Sequence, residues 1–161
     1  MRLIAVDGPS GSGKSTFAAA LAADLGAALV PTDHFATWDD PVSWWPRLVS
    51  GVLAPLWRGE PGRYRRVDWS TGRPRPGDWI TVDVPEILVL EGVSAARRSI
   101  APRLAEAVWV EVPDARTRLE RAVARDGEDS RPHLVRWQAF ERGWFAVDGA
   151  KDRADRVVTP G

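Results

Sequence analysis

Near the start of the chain the stretch Gly8-Pro9-Ser10-Gly11-Ser12-Gly13-Lys14-Ser15-Thr16 contains, from Gly8 to Ser15, the spacing GxxxxGK[ST]. Glycines at 8, 11 and 13 free the backbone for φ > 0 and let successive N–H groups converge on one point, an anion nest opening onto a helix N-terminus. Lys14 would reach the β- and γ-phosphates as a mobile point charge, and the Ser15 hydroxyl would take one Mg²⁺ position. The cradle formed by Gly8, Ser10, Gly11, Ser12, Gly13, Lys14, Ser15 and Thr16 is therefore the candidate nucleotide-binding segment. The basic residues are otherwise almost all arginine, and one of only two lysines sits inside this loop.

Phosphate chemistry needs further groups. Glu91 ends the apolar run Glu86-Ile87-Leu88-Val89-Leu90-Glu91-Gly92, and a carboxylate at that end of a buried strand could hold Mg²⁺ through a water. Asp33 follows Ala28-Leu29-Val30-Pro31-Thr32 and could orient or deprotonate a substrate hydroxyl, or else cap a turn. Asp39 and Asp40, before Pro41, could bind acceptor hydroxyls or form another turn. Arg118, Arg121 and Arg125 share a face of a helix from Asp114 to Asp126. Arg125 and Arg131 flank the polar hinge Gly127-Glu128-Asp129-Ser130-Arg131, so an arginine-bearing lid over a triphosphate is expected, these two supplying positive charge to the transition state. His34 and His133 are isolated and read as neither metal ligands nor bases.

These groups must be carried by regular elements. Arg2-Leu3-Ile4-Ala5-Val6-Asp7 reads as a buried strand entering the loop, and Phe17 to Leu25, without Pro or internal Gly, as the helix leaving it, with Gly26 as C-cap. Ala28–Val30, Glu86–Gly92, Val108–Val112 and Arg156–Thr159 read as further strands, and a second helix after the hinge contains Trp137, Phe140 and Trp144. Strands alternating with helices predict an α/β fold, a parallel sheet covered on both faces. The segment from Ala36 to Pro85, rich in Trp and Pro, breaks this rhythm. It reads as an insertion over one end of the sheet, in which Tyr64–Trp69 and Trp79–Val82 could pair as a short ribbon. The expectation is one domain over residues 1–161, with 36–85 on the acceptor side and about 125–132 as the lid.

Composition narrows the partners. Lys+Arg and Asp+Glu are each 22, a balance that argues against binding nucleic acid by phosphate neutralisation. The absence of cysteine excludes disulfides and thiolate metal sites. No signal-peptide pattern and no apolar run near the ~20 residues of a membrane span is present, so a soluble cytoplasmic protein with no membrane partner is expected.

In their order along the chain, these elements resemble the uridine kinase and uridine kinase-like group of P-loop kinases, which borders on phosphoribulokinases and pantothenate kinases. The match runs from Asp7–Thr16 through Asp33-His34-Phe35 (Asp-x-Phe-Tyr in the family) and Asp39-Asp40-Pro41 (Asp-His-Pro). It continues through Val67-Asp68-Trp69 (Tyr-Asp-Phe) and Leu90-Glu91-Gly92-Val93 to Arg118-Leu119-Glu120-Arg121 with Arg125-Asp126, and ends at Ala154-Asp155-Arg156-Val157-Val158. The resemblance implies a P-loop NTPase fold of the nucleoside-kinase type, with a five-stranded parallel sheet and a lid. It implies ATP and Mg²⁺, and transfer of the γ-phosphate to a hydroxyl of a nucleoside or related small molecule. Asp33 would activate the hydroxyl, Asp39 would bind ribose, Asp68 and Trp69 would join the acceptor site, and Arg125 and Arg131 would contact phosphates or acceptor. Departures fall on the acceptor side: Val67 and roughly Gly72 stand where the family holds the base with Tyr and His, and Ala36 replaces a Tyr. A P-loop hydrolase and a non-catalytic nucleotide switch are the alternative readings.

Overall fold

The computed structural model describes residues 1–160. Five parallel strands, β1 (Arg2–Asp7), β2 (Ala28–Pro31), β5 (Ile87–Glu91), β6 (Glu106–Val110) and β7 (Arg156–Val158), stand in the order β2-β5-β1-β6-β7. β1 is central and buried from Leu3 to Asp7, as its unbroken apolar run requires of a strand covered on both faces. Leu3, Ala5, Leu88, Leu90 and Trp109 point into one core, and Ile4, Val6, Val89, Val108 and Val110 into the other. The second core is closed by α1 (Lys14–Leu25) through Ala18 and Ala22, and Gly26 ends that helix in the left-handed conformation at φ 59°.

The first core is covered by the insertion and by the last long helix. Leu48, Val52, Leu53 and Leu56 of the insertion lie in it with Trp44, as does Phe145 at its edge. The insertion holds a helical run that the sequence pattern does not announce: α2 (Trp45–Leu48) and α3 (Ala54–Trp57) are joined by a π-helical turn, Val49–Leu53. Pro46 stands in the first turn of the run, where no N–H is needed, and Pro55 follows just after the π-helical turn. At Gly51 in the wide turn, a Cβ would lie 2.8 Å from the Arg63 carbonyl oxygen, so the missing side chain admits the ribbon. That ribbon is β3 (Gly62–Asp68) antiparallel to β4 (Arg75–Val82), longer than the expected pair and irregular between Arg65 and Val67.

After β6, which begins and ends two residues earlier than expected, Asp114 caps α4 (Ala115–Asp126) by accepting from Arg116 N and Thr117 N. The hinge is a compact turn: one 3₁₀ turn, Glu128–Ser130, leads directly into α5 (Arg131–Asp148). Among the described residues, no helix is long and apolar enough to cross a membrane. In register, Val6 and Pro31 both stand beside Glu91, which brings the C-terminal ends of β1, β2 and β5 together, the end of an open α/β sheet where ligands bind.

Candidate active site

At this end the loop between β1 and α1 takes the shape its glycines permit. Gly8, Gly11 and Gly13 have φ of 147°, 73° and 86°, and two of them also press on backbone. A Cβ would come within 2.1 Å of the Val110 carbonyl oxygen at Gly8 and within 2.2 Å of the Arg118 carbonyl oxygen at Gly11. The loop is thus seated on β6 and α4. Gly13 is the N-cap of α1 and no side chain caps that helix, leaving its first-turn N–H groups to an anion. The Ser12 hydroxyl is buried without a partner among the described residues, while Thr16 faces solvent.

Lys14 is 8% exposed and its Nζ donates to the Pro9 carbonyl at 3.4 Å. Three buried carboxylates feel its charge: Asp7, Glu91 and Glu141. Burial pushes all three carboxyls up, Asp7 to about 7, and the Lys14 ammonium pulls each back. Asp7 fixes the back of the loop, with Oδ1 accepting from Gly8 N at 2.8 Å and Ser94 N at 3.0 Å, and Oδ2 from Ala96 N at 2.9 Å. Ser94 is the one non-glycine residue with positive φ among those described, at 72°, and its N–H is turned onto Asp7. Glu91 accepts from Ser15 Oγ at 3.2 Å. This pair offers only hard oxygen donors, which fits Mg²⁺. Among the described residues no group of three or more His, Cys, Asp or Glu could enclose a metal, so an ion here must take most of its ligands from water and substrate.

Asp33 lies in a 3₁₀ turn, Thr32–His34, directly after β2. It caps no turn: its side chain has no hydrogen-bond partner among the described residues, and its backbone carbonyl accepts from Trp69 Nε1 at 2.9 Å. Lys14, Ser15, Asp33 and Arg125 together line a cleft of about 520 Å³, whose apolar walls include Trp38, Trp69, Val93, Leu134 and Trp137. Trp38 organises these walls. It stands edge-on to Trp69 at 4.9 Å and Trp137 at 5.8 Å, and stacks on His133 at 4.9 Å with 10° between the rings. Trp38 and Trp137 also wall a smaller cleft of about 340 Å³, shared with Asp39, His133, Arg136 and Phe140. Gly72 lines the larger cleft, whereas Val67 and Ala36 are buried in the fold.

Four residues singled out by the sequence do not line the larger cleft. Arg131 does not line the cleft, because it is held between Glu120 and Glu128. Asp68 turns away as well: it accepts from Ser70 N and Arg75 Nε, which hold its carboxyl down at about 2. Asp39 borders the smaller cleft, while Asp40 makes a turn with Ser43 N. Arg118 does not join Arg125 at the cleft, since it is buried with Nη1 donating to the Val112 and Pro113 carbonyls. Arg125 does reach the cleft, paired to its neighbour Asp126 at 2.7 Å. His34 is used in packing, with Nδ1 2.7 Å from the Tyr64 hydroxyl, and burial lowers its pKa and pushes Tyr64 up to about 12.

Two groups escape the motif search as site residues. Asp7 reads as the last residue of a strand, and Glu141 as one of many polar positions on α5. Glu141 accepts from Ser10 N at 3.2 and 3.1 Å and from Ser10 Oγ at 3.1 Å, across 131 residues of chain. The tight stop at Asp7-Gly8 carries a weak signal for the first, and nothing local marks the second.

A cytidylate kinase family model matches residues 4–36, the segment that runs from β1 through the loop and α1 to the turn bearing Asp33. No curated protein has a sequence that matches the chain. Among solved structures, the chain is similar to a protein of Bacillus stearothermophilus provisionally named a uridine kinase, at 17% identity and a TM-score of 0.68 over 97% of this chain and 87% of that one. It is similar at 21% identity and a TM-score of 0.65 to a protein provisionally named a fructose transport system kinase, from Silicibacter sp. TM1040, over 98% and 89%. Shikimate kinase of Acinetobacter baumannii, solved with shikimate, has a TM-score of 0.52 at 18% identity over 100% and 84%. In fold, with its five-stranded parallel sheet and glycine loop, the chain is similar to the P-loop kinases of small molecules.

Proposed function

We propose that the chain is an ATP-dependent kinase of the uridine kinase-like type, transferring the γ-phosphate to a hydroxyl of a nucleoside or related small molecule. The observation that carries this reading is the common cleft of Lys14, Ser15, Asp33 and Arg125, closed by three tryptophans. Gly11, Gly13 and the first turn of α1 would cradle the phosphates with backbone N–H groups, and Lys14 would lie against their oxygens. Ser15, with Glu91 behind it, would hold Mg²⁺, which supplies charge neutralisation at the phosphate oxygens.

Asp33 would accept the hydrogen bond of the acceptor hydroxyl and aim it in line with the terminal phosphate. Trp69 contributes by fixing the Asp33 backbone, and Trp38 and Trp137, which line the cleft, would exclude water from the acceptor. Arg125, at the end of α4 beside the hinge, would supply lid charge to the developing transition state. The flat aromatic walls suit a planar base or the C–H face of a sugar, in keeping with a nucleoside acceptor.

The test is transfer of ³²P from γ-labelled ATP with Mg²⁺ to a panel of nucleosides, sugars and pantothenate, run beside Asp33→Asn. A labelled acceptor product that disappears in the variant, with ATP binding retained, is expected. Free phosphate alone would favour a hydrolase, and ATP binding without turnover a switch.

A further inference from the structure

Glu141 lies near the middle of α5, 1% exposed, and no step of the proposed transfer uses it. A buried carboxylate is normally paired with a cation. Here the cations that face it are engaged elsewhere: Lys14 on α1 donates to the Pro9 carbonyl, and Arg118 on α4 to the Val112 and Pro113 carbonyls. Both oxygens of Glu141 are given instead to one residue of the phosphate loop, Ser10, through its N–H and its hydroxyl. Ser10 itself lines the large cleft. An internal anion therefore holds one edge of a loop whose architecture is built for external anions.

We propose that Glu141 is a positioning residue of the phosphate loop whose negative charge also opposes bound phosphates, so that α5 both seats Ser10 and limits how tightly the loop holds a nucleotide. The two effects have opposite signs. The hydrogen bonds to Ser10 preorganise the loop and favour binding, whereas the charge repels phosphates and favours release of the product nucleoside diphosphate, a step that limits turnover in many enzymes. A glutamine keeps an acceptor oxygen for Ser10 and removes the charge. An alanine removes both.

This inference rests on the nucleotide reading of the loop, and ADP with Mg²⁺ is the probe. Its affinity is measured by titration calorimetry for wild type, Glu141→Gln and Glu141→Ala from mildly acidic to alkaline pH, the direction in which a carboxyl raised by burial gains its charge. At the alkaline end Glu141→Gln is expected to bind ADP about tenfold tighter than wild type, the size of a nearby like-charge repulsion in a partly screened site. The gap narrows toward the acid end as the wild-type carboxyl takes up its proton. Glu141→Ala is expected to bind more weakly than Glu141→Gln at every pH. A Gln variant matching wild type across the range overturns the charge role, and an Ala variant equal to the Gln variant overturns the positioning role. If none of the three proteins binds ADP, the nucleotide reading itself fails and this inference falls with it.

Discussion

Gly11 and Gly26 form a matched pair for testing how the phosphate loop is held. Both have left-handed φ, 73° and 59°, so alanine at either position carries a similar backbone penalty of about 1 kcal/mol. At Gly26 the new methyl meets nothing within 4 Å, but at Gly11 it lands 2.2 Å from the Arg118 carbonyl oxygen and 2.8 Å from its carbon. Neither atom is the tip of a flexible side chain. Restoring ordinary contact, which starts at 3.4 Å, requires the loop and α4 to part by more than an ångström. Overpacking of this kind costs about 1–3 kcal/mol, so Gly11→Ala should lose about 2–4 kcal/mol and Gly26→Ala about 1 kcal/mol. Urea unfolding with a common m-value measures the difference, and ADP titration should show a loss of affinity in Gly11→Ala alone. Equal stability losses in the two variants would refute the seating of the loop on α4.

Two further outcomes follow from the same geometry. Asp7 is raised to about 7 from 3.8, so folding favours its protonated form: its contribution is fully present below about pH 4 and declines as pH rises through about 7, by about 4 kcal/mol in all. The difference in unfolding free energy between wild type and Asp7→Asn should trace that decline, and a flat difference would mean that the three N–H donors hold the ionised form. Arg125→Ala should cut phosphoryl transfer by at least about tenfold, whereas Arg131→Ala, outside the cleft and paired with exposed Glu120 and Glu128, should leave transfer within about twofold. Equal losses in the two would return Arg131 to the site.

What the sequence discloses is mostly what local chemistry determines. The loop and α1 follow from glycine spacing, an Ala-rich run and Gly26, the start of α4 from Asp114, and the parallel strands from their apolar runs. The wide helical turn of the insertion is illegible because Pro46, Gly51 and Pro55 read as breakers when taken one at a time, and become compatible only with Pro46 in the first turn, Pro55 just after the wide turn and β3 packed on Gly51. Placement is legible where it follows from a strand end, as with Glu91 at the end of β5 and Asp33 just after β2. It fails for Arg131 and Asp68, whose competing partners are Glu120, Glu128 and Arg75, and for Glu141, whose partner is 131 residues away. Spacing along a helix gives the face a residue shares, but not what stands opposite.

One helix touches nearly every part of this arrangement. In its 18 residues, about 27 Å of rise, α5 presents Leu134 and Trp137 to the cleft, Glu141 to Ser10, Trp144 to the Arg97 guanidinium at 5.2 Å, and Asp148 to Arg98 N and Arg153. Gly127 precedes it and Gly149 follows it, both with positive φ. A rod anchored at four points along its length should open largely as a unit, and its central amide protons are expected to form one cooperative block in hydrogen exchange. Occupancy of the phosphate loop should then slow exchange at the far end of the rod, beside Asp148, as much as at the end that faces the cleft.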